Sequence, residues 1–139
     1  MIDSNRPILL VEDDEVDVMT VKRSVRELLV KNPLHIRGNG EEALEYLEEH
    51  QHVLPCIVLL DINMPRMNGI EFLSKVKSDE RFKRIPIIVL TTSKEEQDRY
   101  ASFNLSAAGY MIKPVDYEQF LTLMNTIKGY WSLSEFSNK

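Results

Sequence analysis

Four short runs of apolar residues set the frame for this chain: Ile8-Leu9-Leu10-Val11, Ile57-Val58-Leu59-Leu60, Ile87-Ile88-Val89-Leu90 and Tyr110-Met111-Ile112. None of them alternates with polar residues. A strand with one wet face reads apolar, polar, apolar, so unbroken runs of about four residues suit strands covered on both sides, the environment of a parallel sheet. A weaker fifth strand is expected at Leu34 to Arg37.

The segments between the runs carry helical spacing. Val18, Val21, Val25, Leu28 and Leu29 recur every three or four residues, as do Phe120, Leu123, Met124, Ile127 and Trp131. Such stripes cover a core. Four pairs signal helix starts by a capping side chain with Glu or Gln three places on: Asn39 with Glu42, Asn68 with Glu71, Ser93 with Glu96, and Asp116 with Gln119. The chain therefore reads as β-α repeated five times, with strands near 8–12, 34–38, 56–60, 86–91 and 109–112. Right-handed crossovers place helices on both faces of a five-stranded parallel sheet, an α/β doubly wound fold.

At 139 residues, one domain of this kind can bury roughly two-thirds of its unfolded surface and needs no disulfide or structural metal. A single domain over 1–139 is expected, with its core at about 7–131 and a frayed tail at 132–139. Lone Cys56, beside an apolar run, reads as a buried, inert thiol in a reducing compartment. The 17 Lys and Arg against 22 Asp and Glu give a net charge of −5, which supplies no excess of cations for nucleic acid or an anionic membrane. With no leader and no segment near the ~20 apolar residues of a membrane span, a cytoplasmic protein is expected.

Each strong run ends in a polar group. Glu12-Asp13-Asp14 follows the first, Asp61 the third, Thr91-Thr92 the fourth and Lys113-Pro114 the fifth. In an open parallel sheet those ends share one edge, where ligands bind at the crevice where strand order reverses. With the flavodoxin-like order 2-1-3-4-5, taken over from known sheets of this type, the crevice brings the acidic cluster beside Asp61. Carboxylates held close repel one another, so one takes a proton or a cation enters. Mg²⁺ fits, being a hard ion that takes oxygen ligands and leaves room for water and a phosphoryl oxygen. Lys113 and Thr91 could then face the other oxygens of a transferring phosphoryl group. Asp61, central between the acids and the Thr/Lys pair, is the best nucleophile candidate.

These residues resemble the receiver domains of two-component response regulators. The resemblance covers nearly the whole chain and is carried by Val11-Glu12-Asp13-Asp14, by Leu60-Asp61-Ile62-Asn63-Met64-Pro65 with Asn68-Gly69, by Val89-Leu90-Thr91-Thr92-Ser93 and by Gly109-Tyr110-Met111-Ile112-Lys113-Pro114. No single motif decides it, but their order and intervals do. It implies that Asp61 accepts phosphate from a phosphohistidine on a sensor histidine kinase. Asp13 and Asp61 would bind Mg²⁺ directly, with the backbone carbonyl of Asn63 as a further ligand and Glu12 acting through water. Thr91 would hydrogen-bond the phosphoryl group, Lys113 would pair with it, and the Lys113-Pro114 bond would be cis.

A dianionic group on Asp61 would draw the Thr91 hydroxyl inward and let the Tyr110 ring turn from exposed to buried, reshaping the face made by the fourth helix, fifth strand and fifth helix. Glu12 departs from the Asp common in the family, and Thr92 stands where a small residue is common. The run Ile127 to Trp131, with Lys94 to Asp98, is similar to stand-alone regulators paired with bacterial phytochromes, which often dimerise through the last strand and helix region. A homodimer through that region, and a phytochrome as the kinase, are the corresponding expectations.

Other readings carry less. A phosphohydrolase with an aspartyl-phosphate intermediate usually has a second Asp two residues after the nucleophile, and Asn63 stands there. A flavin-binding protein of the same topology would need a phosphate-cradling loop after the first strand. A receiver-like module that is never phosphorylated would not need Asp13, Asp61, Thr91 and Lys113 together. His50 and His52, without a third ligand nearby, read as solvated loop residues. Tyr130 and Trp131 read as packing or dimer contacts, and Gly38-Asn39-Gly40 lacks the third glycine of a dinucleotide fingerprint.

Overall fold

The computed structural model describes residues 6–64 and 67–133. Five strands, β1 (Ile8–Val11), β2 (Leu34–Arg37), β3 (Ile57–Leu60), β4 (Ile87–Thr91) and β5 (Gly109–Ile112), alternate with α1 (Glu15–Glu27), α2 (Gly40–Glu49), α3 (Gly69–Lys77), α4 (Glu96–Asn104) and α5 (Tyr117–Leu133). The strands pair in parallel in the order β2-β1-β3-β4-β5, as expected. Every described strand lies within a residue or so of its expected bounds; β1, β3 and β4 are buried throughout, whereas the edge strands β2 and β5 are only partly covered.

The period of two along each strand divides the core between the faces. Leu9, Val11, Val58, Leu60, Ile87 and Val89 pack with Tyr46 and Leu47 of α2 and with Phe72, Leu73 and Val76 of α3. Ile8, Leu10, Ile57, Leu59, Ile88 and Leu90 pack with Val21 of α1 and with Phe120, Met124, Ile127 and Trp131 of α5. Cys56 is buried in this second cluster, where burial pushes its thiol up to about 11, so it is inert as expected. No helix among the described residues is long and apolar enough to cross a membrane.

The caps fix where each helix leaves the sheet edge. Asn39 accepts from the Glu42 N–H at 2.9 Å, Asn68 and Glu71 form a complete capping box, and Asp116 accepts from the Gln119 N–H at 3.3 Å. Ser93 does not cap α4. That helix begins at Glu96 after Glu95, which makes no side-chain cap, while the Ser93 hydroxyl donates to Asp98 Oδ2 at 2.6 Å. The reason lies in the loop: the Ser93 N–H is held by Thr91 Oγ1 at 3.3 Å and its carbonyl accepts from the Tyr110 hydroxyl at 2.9 Å.

Leu29 also departs from expectation. It lies beyond α1 with φ 58° and is 80% exposed, because α1 closes with Val30 N–H to Val25 carbonyl and Leu29 N–H to Arg26 carbonyl, the pair of bonds that calls for a left-handed residue. The Lys113–Pro114 bond is trans, since no described peptide is cis, and trans is the form a prolyl amide prefers by about 0.5–1 kcal/mol. His50 is not a solvated loop residue either: its ring stacks on Tyr46 at 4.0 Å between centroids. His52 is exposed. Of the tail expected to fray, residues 132 and 133 continue α5, and 134–139 lie outside the described residues, as does Pro65 of the motif after Asp61.

One glycine fixes the floor of the sheet edge. A Cβ on Gly69 would stand 2.5 Å from both the Asp61 carbonyl oxygen and Ile62 Cα, so only glycine lets the start of α3 lie against the end of β3. Gly69→Ala should therefore force backbone apart and destabilise the fold by about 1–3 kcal/mol, read by urea unfolding. A change within a few tenths of a kcal/mol would contradict this packing.

Candidate functional site

The carboxyl ends of β1, β3, β4 and β5 converge as the sheet order requires. Asp61 follows β3 and is 7% exposed; Glu12 follows β1 and is 3% exposed; Asp13 beside it is open to solvent. Glu12, Asp13 and Asp61 each place a carboxylate oxygen within 4.8 Å of the others. Thr91, the last residue of β4, donates its hydroxyl to Asp61 Oδ1 at 2.8 Å, and the Asn63 N–H donates to the same oxygen at 3.2 Å.

Lys113 arrives from the end of β5 with a side chain only 7% exposed. Its position is set by backbone pairing, the Lys113 N–H donating to the Thr91 carbonyl at 2.8 Å. The ammonium donates to Glu12 Oε1 and, at 2.8 Å, to Asp17 Oδ2, while Asp61 Oδ2 lies 3.8 Å away. Sequence reasoning brought Asp61, Thr91, Lys113, Glu12 and Asp13 to one place, and the structure puts them there. It missed Asp17. The signal was present: Asp14 accepts from the N–H groups of Val16 and Asp17, at 2.8 and 3.0 Å, which starts α1 and turns its first turn toward the strand ends.

The electrostatics are those of crowded anions. Burial raises the Glu12 carboxyl to about 7; the Lys113 hydrogen bond opposes this and the nearby Asp61 charge adds to it. Burial disfavours the charged form of Lys113, but its hydrogen bonds to Asp17 and Glu12 and the Asp61 charge outweigh that and hold its pKa above the ordinary lysine value. One ammonium thus faces three carboxylates, those of Glu12, Asp17 and Asp61. An all-oxygen donor set, partly buried and short of positive charge, fits a hard divalent cation and offers nothing to a soft one.

Tyr110 is half-buried against the α2/α3 side of the core, its hydroxyl donating to the Ser93 carbonyl. A chain of contacts thus runs from Asp61 through Thr91 and Ser93 to Tyr110 on β5 and to Asp98 on α4.

The family model described as "Response regulator receiver domain" matches residues 8–125. The chain is a response regulator receiver domain. It is 33% identical to Response regulator Rcp1 of Synechocystis sp. over 93% of this chain and 92% of that protein. It is 36% identical to the probable methanogenesis regulatory protein FilR2 of Methanothrix harundinacea, over 89% and 82%. Among solved structures, the phosphorylated cyanobacterial phytochrome response regulator RcpA superposes with a TM-score of 0.87 at 30% identity, covering 96% of this chain and 99% of that one. The Mn²⁺-bound form of Rcp1 superposes with a TM-score of 0.85 at 30% identity, covering 94% and 98%. Receiver domains are signalling modules of two-component systems, phosphorylated by histidine kinases on an aspartate, with Mg²⁺ or Mn²⁺ in an acidic pocket.

The pocket of this receiver domain gives its stability a pH dependence. An acid whose pKa is higher folded than unfolded has its stability fully in place below the unfolded value, near 4.5 for Glu12, and loses it as pH rises through the folded value of about 7. In chelator, the parent should lose stability between about pH 4.5 and 7, and Glu12→Gln should flatten that slope. Equal slopes in urea titrations of the two proteins would show that Glu12 is not the group responsible.

Proposed function

We propose that Asp61 is the phosphoacceptor and that Asp13, Asp61 and the Asn63 carbonyl hold Mg²⁺, with Glu12 acting through water. The observation that carries this reading is the convergence on one buried carboxylate of a hydroxyl from β4, an ammonium from β5 and two further carboxylates from β1. In the transfer, an Asp61 oxygen attacks phosphorus, the bond from phosphorus to the kinase histidine nitrogen breaks, and an acyl phosphate forms. The cation, when bound, supplies positive charge that offsets the crowded carboxylates and the phosphoryl oxygens. The Thr91 hydroxyl, now on Asp61 Oδ1, turns to a phosphoryl oxygen, and Lys113 pairs with another. Both the transfer and the later hydrolysis use the domain's own groups.

The same reading makes Thr91 and Tyr110 the switch. Once Thr91 leaves Asp61 Oδ1, the Ser93 N–H loses its present partner, and the loop carrying the Tyr110 contact is free to rearrange. The face that responds is α4, β5 and α5, where Tyr100, Phe103, Ile112 and Tyr130 are exposed. We assign to that face a homodimer contact, supported by its exposed aromatic rings. The likeness to phytochrome response regulators supports a phytochrome as the kinase, with the domain acting without an effector of its own.

Phosphate uptake from a small phosphodonor such as acetyl phosphate, with and without Mg²⁺, tests the assignment. Labelling is expected in the parent only with the metal, and not in Asp61→Asn; equal labelling of the variant would reject Asp61. Lys113→Ala should still bind Mg²⁺ but fail to signal in a kinase-coupled assay, and unchanged output would reject the role given to its ammonium.

A further inference from the structure

The Lys113 ammonium has three protons to donate. Glu12 from β1 and Asp17 from α1 take two of them, and Asp61 Oδ2 stands 3.8 Å away, beyond a hydrogen bond and close enough to be faced across a narrow gap. A lysine on a four-carbon stem has no fixed direction of its own. Held by Glu12 alone, it could swing about that contact or fall onto Asp61 and occupy the acceptor. Asp17 closes the second side. Its own place is fixed by Asp14, whose carboxylate accepts the Asp17 N–H at 3.0 Å, and a carboxylate in a first helical turn is favoured by the helix dipole.

We propose that Asp17 is a positioning residue that holds the Lys113 ammonium off Asp61 and leaves its third proton aimed at the site of the incoming phosphoryl oxygen. This deepens the assignment of Asp61 as acceptor and rests on it. Asp17 touches neither the phosphoryl group nor the cation; it acts through Lys113. The advantage is preorganisation: the donor is in place before charge develops, so no side chain has to be oriented during transfer.

The test is a double-mutant cycle on the full chain, with acetyl phosphate and Mg²⁺ as probes. Asp17→Ala should slow labelling of Asp61 about tenfold, whereas Asp17→Asn, which keeps an acceptor oxygen for the ammonium, should recover most of the rate. In a Lys113→Ala background, Asp17→Ala should have no further effect. A second readout needs no turnover: in chelator, the Lys113 ammonium ¹⁵N signal should be protected from exchange in the parent and lose that protection in Asp17→Ala. Parent-like labelling by Asp17→Ala, an equal loss in the Lys113→Ala background, or an unchanged ammonium signal would each overturn the proposal. If the parent fails to label, or Asp61→Asn labels, the acceptor assignment itself falls.

Discussion

Repulsion among carboxylates packed at the ends of β1 and β3 is the constraint on which the functional end of this domain depends. Two of the acids, Glu12 and Asp61, are buried, and burial removes the water that would otherwise screen them. Folding brings them together because the parallel sheet aligns its strand ends, and the apolar runs that make the sheet leave no freedom to move those ends apart. The domain meets the cost with one ammonium shared among several anions and with a carboxyl that holds its proton to an unusually high pH. What remains uncompensated is an appetite for positive charge at one edge of the sheet.

That edge is rigid for reasons that have little to do with charge. The side chains of β1, β3 and β4 alternate between two separate clusters, so each strand is gripped from both sides. Gly69 allows α3 to start against the Asp61 backbone, and the Lys113 N–H ties the end of β5 to that of β4. Asp61, Thr91 and Lys113 are therefore carried on a frame that does not need their own interactions to stay in register, which is how a site can hold mutually repelling groups.

Much of this was legible in the sequence because β1, β3 and β4 are buried on both faces and so cannot hide among amphipathic patterns. The capping signals at Asn39, Asn68 and Asp116 were reliable, each side-chain oxygen accepting from the backbone N–H three residues on. Ser93 failed because Thr91, Tyr110 and Asp98 all compete for its groups, and the helix begins three residues later. Leu29 fitted the helical stripe in sequence, but the closing bonds of α1 turn the chain out before it. The Asp17 contact depends on the distance between α1 and the end of β5, which spacing along one helix does not encode, whereas His50 stacks on Tyr46 four residues back at the end of α2, a contact helical spacing allows. The expected cis bond at Pro114 was carried by resemblance alone, and the backbone here is trans.

The uncapped start of α4 has a mechanical consequence. Of its residues only Ser102 is buried, whereas α1, α2, α3 and α5 each commit apolar side chains to the core. Sliding α4 along the sheet would surrender very little sheltered hydrocarbon, so it is the least expensive helix to displace. Its first turn is moored by Ser93 to Asp98, two residues along the chain from Thr91. The loosest plank of the molecule is thus tethered to the rope that ends at Asp61.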